Sequence, residues 1–516
     1  MKSMILKKEK AAVPTVIALT LLTAILFSSC SGGGKTPADT SASSDGTTAA
    51  TGVPGTTAEP VRTDAGGFLL DDLPEKMDFG GEQVTILAWD GQSYEEFKVE
   101  QLNGDIIDES VFNRNIRVEE RLGVLIGVKK TKGGSSDYQA YTTAVKGDIS
   151  AGSGSEYDIL AAYSRTTAMC AYMGLTKDLL ATEYFDIEKP WWPKTLTEQS
   201  TIGGKLWFCS GDISLSLFHN LDVVYFNKDL AEDFKIGAEN IYRLVDSGEW
   251  TLDKMISLSA GTYDDLDRDG KKSDGDRYGF VCANTQSQPI IWGCGITAVN
   301  TALDGQMTES DVFFGEKMQD VQEKLFGFIN DTNDGLRASS TGTGNTAFAE
   351  GRCLFFCNIA SYAMSKFKDA GISFGLLPPP KYNADQDRYY SVEGNAFTLY
   401  AIENSDGTDA NLCSAVLEAL CSEGYRSVSP TVFEVAMKVR YADDYNTSRM
   451  YDLIRGGVVF DNGRIFSGVL DDIFTKTYND QFKSGSTAWV AKAAVVRDEA
   501  KRKLEDLNRT FAALNG

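Results

Sequence analysis

Apolar positions recur along the chain in short blocks of two alternating kinds. QVTILAW (Gln83 to Trp89) is a continuous apolar run of strand length. DESVFNRNIRVEERLGV follows, with Val111, Val118 and Leu122 at helical spacing, and VLIGV returns to strand character. Another helix-like stretch leads to EYDILAAYS, a third apolar strand. Strand and helix in alternation predict an α/β sheet with parallel strands.

GKLWFCSGDISLS and LDVVYFN read as further strands, and alternating elements continue to KLFGFIN, LFFCNIA, ISFGLLPPP and NAFTLYAI. The last segment puts Trp489, Val496, Ala500, Leu504, Leu507 and Phe511 on one stripe, which predicts a long amphipathic helix. No internal repeat is visible. At 516 residues and 42% hydrophobic the chain can bury more than one core.

The pattern breaks at the start. Lys2, Lys7, Lys8 and Lys10 precede VIALTLLTAILF, an apolar run of signal-peptide length and too short for a comfortable membrane span. SSC closes it and resembles the lipobox of bacterial lipoproteins, which implies a leader at 1–29 and lipid on Cys30, with Phe27 in place of the usual aliphatic residue. The alternative is a plain secretory signal. Residues 30–67 are almost wholly Gly, Ser, Thr, Ala, Pro and Asp and cannot bury enough apolar surface to fold, so they read as a tether. A flexible chain of about 40 residues spans roughly 35 Å.

A formal charge of −23 argues against a nucleic-acid partner, which would require a basic surface. Eight cysteines follow Cys30, an even number that permits disulfides in an exported protein, although Cys353 and Cys357 in CLFFC read as buried thiols.

Several blocks, in order, resemble the bacterial extracellular solute-binding proteins of ABC importers, family 1, which includes many sugar binders. They are EYDILAAYS with GLTKDLL, GKLWF with VVYFNKDLAEDFKI, GEWTLDKMISLSA, TAFAEGRCLFF and FGLLPPPK. Trp250 precedes Thr251 where the family places them in the other order. The resemblance implies an α/β, two-lobed, type II periplasmic-binding-protein-like fold with ligand in the interlobe cleft. It implies crossings near Cys209 to Ser214, Ser391 to Asn395 and 440–465, so that lobe 1 comprises 68–211 plus 394–445 and lobe 2 comprises 212–393 plus 446–516. The implied protein is a monomer on the outer face of the bacterial cytoplasmic membrane, handing a sugar or oligosaccharide to an importer permease.

Sugars present hydroxyls to polar groups and CH faces to aromatic rings. Trp89 and Asp90 end the first strand and Tyr163 the third, as cleft contacts or as rim residues. Asp212 lies at the first expected crossing. His219 and Asn220 fall beside the cleft by the family match, with a structural histidine as the competing role. Trp292 in PIIWGCG, after an expected strand and loop, is either a stacking platform or core. Glu393 and Asn395 at the return crossing offer hydrogen bonds or are solvated turn residues. Trp191 and Trp192 read as packing.

One histidine excludes HExxH and any two-histidine metal centre, and no GxSxG elbow occurs. A glycosidase needs only two carboxylates, so a surface glycan hydrolase or an adhesive glycan-binding lipoprotein is the alternative function. DDLDRDGKKSDGDRYGF has the oxygen spacing of an EF-hand loop, with Asp265, Asp267, Asp269, the Lys271 carbonyl, Ser273 and Asp276 as ligands and Gly270 at the sharp turn. YGFVCA after it reads as a strand, so the expectation is a lone structural calcium clip, against an acidic solvated turn.

Overall fold

The computed structural model describes residues 62–92, 94–152, 155–367, 369–433 and 445–515. The expected leader, Cys30 and residues 31–61 of the tether lie outside them, as do 434–444, which include the first residues of the third crossing. Residues 62–67, expected as tether, turn back on the body: Thr63 bridges to Leu69, and Asp64 Oδ1 accepts the Gly66 and Phe68 N–H groups.

The chain enters as β1 (Glu82–Trp89), and helix Ile106–Leu122 leads to β2 (Val124–Thr131). That helix begins where Asp105 accepts the Ile107 and Asp108 N–H groups, and ends where Gly123 takes a left-handed φ of 63°. Helix Tyr138–Ala151 then leads to β3 (Ile159–Tyr163). β1 pairs in parallel with β2 and with β3, so it is flanked on both edges and is buried from Val84 to Trp89. Val84, Ile86 and Ala88 pack on one face with Val118 and Leu122, while Leu87 and Trp89 pack on the other with Tyr141 and Leu160.

A second sheet is built from β4 (Asp222–Asn227), β5 (Tyr278–Cys282), β6 (Gly335–Arg337), β7 (Cys353–Ile359) and β8 (Phe374–Leu377), in the spatial order β6-β5-β7-β4-β8. Alternate residues again serve two cores, with Val224 and Phe226 facing Trp250 and Phe355, and Val223 and Tyr225 facing Phe348 and Phe356. β9 (Thr398–Ile402) then returns to the first sheet, antiparallel to β3. The last helix, Trp489–Asn515, buries Trp489, Ala500, Leu504, Leu507 and Phe511, with Val496 partly buried beside them.

Two expected strands differ. GKLWFCSGDISLS contributes a two-residue strand, Lys205–Leu206, and then an irregular segment that crosses between the sheets. KLFGFIN forms the end of helix Glu316–Asp331, whose apolar face buries Leu325, Phe326, Phe328 and Ile329. Trp191 and Trp192 are packing residues, and both indole N–H groups donate to Glu418, each at 3.1 Å. The eight cysteines from Cys170 to Cys421 are free and buried. No helix among the described residues is long and apolar enough to cross a membrane.

The crossing segments lie side by side. Cys209 bridges to Tyr400 and Leu221 to Glu393, both antiparallel, and Ser391–Val392 pairs in parallel with Val458–Val459. Tyr400 Oη donates to the Gly211 carbonyl and accepts the Gly211 N–H, each at 2.9 Å. Buried Glu96 accepts from Ser214 Oγ (2.9 Å), the Ser216 N–H (3.1 Å) and Thr398 Oγ1. Buried Arg114 donates to the carbonyls of Glu96 (2.9 Å), Phe97 (3.1 Å) and Ile213 (3.3 Å). One cluster thus fastens two crossings to lobe 1.

Replacing Arg114 by Ala strands those buried carbonyls and leaves a cavity. We predict a loss of about 3–5 kcal/mol in unfolding free energy, read from urea midpoints; a loss below about 1 kcal/mol would mean that Arg114 does not anchor the crossings.

Candidate functional site

Asp222 opens β4 at the point where the first crossing enters the second sheet. Glu393 lies on the return crossing and is 2% exposed. Arg464 comes from the short helix Asn462–Ile465 at the end of the third crossing, started by Asp461, whose carboxylate accepts the Gly463 N–H at 2.8 Å.

Asp461 also accepts the Trp292 indole N–H (3.0 Å) and the Ala298 N–H (2.6 Å). It thereby fixes Trp292 beneath Arg464, whose guanidinium carbon sits 4.6 Å from the ring centroid. Arg464 is 8% exposed, yet its side chain makes no hydrogen bond and no ion pair within 4 Å to any described residue, and its Nε is buried without a partner. Glu393 Oε2 is likewise buried and unpartnered, and the 9%-exposed Asp222 carboxylate accepts no hydrogen bond from the described residues.

Buried polar groups in folded proteins are nearly always satisfied, so three unsatisfied charged groups in one place mark a surface shaped for something else. Their charges act on one another. Burial pushes the Asp222 carboxyl up to about 7 against the opposing pull of Arg464, and burial pushes Glu393 up, helped by Asp222. Burial lowers Arg464, with Asp222, Asp461, Tyr163 and Glu393 working the other way. Tyr163, from lobe 1, is held above its ordinary value by burial while the Arg464 charge opposes this, which puts both lobes on the same cluster. Such a site can offer a planar cationic fork, two carboxyl groups able to donate or accept, a phenol and an indole edge.

The residues singled out from sequence divide into groups. Tyr163, Trp292 and Glu393 belong to the cluster. Trp292 sits on helix Asn284–Gly293, directly after β5, and its face carries Arg464. Trp89 is buried, with its indole N–H bonded to Thr398 Oγ1 at 3.1 Å and its ring edge-on to Tyr163 at 5.5 Å. Asp90 is exposed beyond the end of β1. Asn220 donates to the Ala396 carbonyl (3.1 Å), and Asn395 accepts from Ser164 Oγ through its own carbonyl (2.8 Å), so both tie the crossings to each other or to lobe 1.

His219 stands apart, edge-on to Tyr94 at 4.4 Å and lining a small cavity with Ala360, Met364 and Tyr451; burial lowers it to about 4, so it is neutral at physiological pH. Asp212 lines a hinge cavity rather than the Arg464 cluster. Asp222, Arg464 and Asp461 were not picked out from sequence. Asp222 carried a faint signal as the one charged residue opening an otherwise apolar strand. Arg464 carried none.

In the acidic loop, the carboxylates of Asp265, Asp267 and Asp269 gather within 4.8 Å of one another. Gly270 takes a φ of +74°, and Asp265 Oδ2 accepts its N–H at 2.8 Å. Asp276 does not join the three. It is fully buried, its oxygens accepting the Leu266 and Ser273 N–H groups at 3.2 and 2.8 Å, and it closes the loop from inside. Among neighbouring cations, Lys272 donates to the carbonyls of Ile329 and Thr332, and Arg277 pairs with Asp264.

Solved structures share this fold at low sequence identity. The cyclic alpha-maltosyl-1,6-maltose binding protein from Arthrobacter globiformis matches with a TM-score of 0.55 at 15% identity, over 85% of this chain and 100% of that one. The galacto-N-biose/lacto-N-biose I-binding protein of the ABC transporter from Bifidobacterium longum, in complex with lacto-N-biose, matches at 0.52 and 13%, over 84% and 99%. UgpB from Mycobacterium tuberculosis, in complex with glycerophosphocholine, matches at 0.52 and 14%, over 83% and 99%. The chain therefore has the two-lobed type II periplasmic-binding-protein fold. No protein-family profile and no curated protein matches the sequence.

The raised Asp222 carboxyl has a consequence for stability. In the unfolded chain an aspartate ionises near pH 4, whereas in the folded chain it holds its proton to about 7, so stability falls as pH rises between the two. Asp222→Asn removes this penalty. It should raise the unfolding free energy at pH 8 by up to about 4 kcal/mol and leave it unchanged below pH 4; equal effects at both would contradict the assignment.

Proposed function

We propose that this chain is an extracytoplasmic solute-binding lipoprotein that captures a sugar or oligosaccharide between its lobes and delivers it to an ABC importer. The observation that carries the reading is the Arg464, Asp222 and Glu393 cluster, three charged groups buried without partners where the lobes meet, beside the Trp292 indole. A hydroxyl-rich ligand can accept from Arg464 and donate to the carboxylates, and closure of the lobes about the crossings would desolvate those bonds. The shared fold supports the reading, since two of its neighbours above are named for binding oligosaccharides. Lipid on Cys30 and the tether would hold the body at the outer membrane face.

Glycan hydrolysis would draw on the same pair of carboxylates. It requires one of them to be ionised near neutrality while the other keeps its proton. Here burial raises both, Asp222 to about 7 and Glu393 well above its ordinary value, which suits hydrogen bonding better than nucleophilic attack.

A thermal-shift panel of mono- and oligosaccharides tests the capture reading. At least one sugar should stabilise the protein in proportion to RT ln(1 + [L]/Kd) without turnover. Arg464→Gln should weaken that sugar by about tenfold or more. Product release at catalytic protein concentrations, or stabilisation by peptides and no sugar, would overturn the reading.

We also propose that the acidic loop takes up one calcium ion as a structural clip, on Asp265, Asp267, Asp269 and the Lys271 carbonyl. Three converging carboxylates with the neighbouring Lys272 and Arg277 committed elsewhere support this. Calorimetric titration of chelator-treated protein should show one-to-one uptake by about millimolar calcium, lost in Asp267→Asn; no uptake at that concentration would remove the site.

A further inference from the structure

The three crossings also enclose a cavity of about 170 Å³ that is separate from the Arg464 cluster, with Glu393 common to both. Trp191, Phe218 and Phe460 line it with aromatic surface, and Asp212, Glu393 and Arg455 are its charged groups. Asp212 is 5% exposed and Glu393 2%, and each has one oxygen, Oδ2 and Oε2, buried without a hydrogen bond from any described residue. The nearby Ser429 hydroxyl does not reach Asp212 in hydrogen-bond geometry.

Arg455 covers part of this charge. Its Nη2 stands 3.5 Å from Asp212 Oδ1, its guanidinium lies 5.0 Å over the Phe218 ring, and its side chain is 43% exposed. Each carboxyl group keeps one oxygen unpartnered, and only Asp212 is met by Arg455, so open hydrogen-bond acceptors face an aromatic-walled space. The volume equals that of about six waters, at roughly 30 Å³ each, which is enough for a short amine.

We propose that this hinge cavity binds a small organic cation bearing a primary ammonium group. The ammonium supplies three donors to the free carboxylate oxygens, and its positive charge is attracted to the aromatic faces of the cavity. Inorganic cations gain less, because their tightly held hydration shell does not match the apolar walls. The inference goes beyond solute capture and does not depend on it.

Propylammonium chloride is the probe, with n-propanol as the isosteric neutral control and sodium chloride at matched ionic strength. Calorimetry on the whole chain should show saturable one-to-one binding of propylammonium and none of propanol. Asp212→Asn should weaken it about tenfold or more, while Arg455→Gln, which frees the carboxylates, should strengthen it. Arg464→Gln, which removes a positive charge acting on Glu393, should not weaken propylammonium binding. Propanol binding as tightly, no saturable binding, an Arg455→Gln variant that binds more weakly, or loss of binding in Arg464→Gln would each overturn the proposal.

Discussion

The arrangement of this protein depends on one buried polar knot. Glu96 and Arg114, both within lobe 1, are bonded to the segments that leave it and return to it: Arg114 to the Ile213 carbonyl, Glu96 to Ser214, Ser216 and Thr398. Neither charge is tolerable in a core without such bonds, so the crossings must be present and in register for lobe 1 to be stable. Burial lowers Arg114 only to about 10, so it stays charged and keeps donating at any physiological pH. A hinge pinned at one end in this way can bend without losing its place.

The cleft follows the opposite rule. At the knot every charge is met; at Arg464, Asp222 and Glu393 it is not. The folded body tolerates that cost because the rest of the cluster is rigid: Asp461 holds Trp292, and Trp292 supports Arg464. Binding surfaces commonly hold such unmet polar groups, whose stabilisation is recovered when a ligand arrives.

Sequence patterning was most informative where one element buries itself on both sides. QVTILAW, LDVVYFN and CLFFCNI are continuous apolar runs because parallel or central strands face two cores, and all three are strands. It misled where apolar residues serve a crossing: GKLWFCSGDISLS is as hydrophobic as a strand, but past Leu206 its segment is held by a single bridge from Cys209 to Tyr400 rather than by a sheet. Trp292 drew attention as an aromatic beside glycines, although Pro289 concealed the helix that carries it. Arg464 was not legible because its meaning comes from Trp292 and Asp222, distant in sequence and adjacent only once folded. Asp212 and Glu393 were expected at the crossings, but which cavity each faces is a matter of three-dimensional packing.

Small-angle X-ray scattering during titration with a stabilising oligosaccharide tests the central claim, that solute is held between lobes which close upon it. The account predicts a saturating fall in radius of gyration with one-to-one stoichiometry and the sugar recovered intact. Binding with an unchanged radius of gyration, or recovery of cleaved sugar, would contradict it.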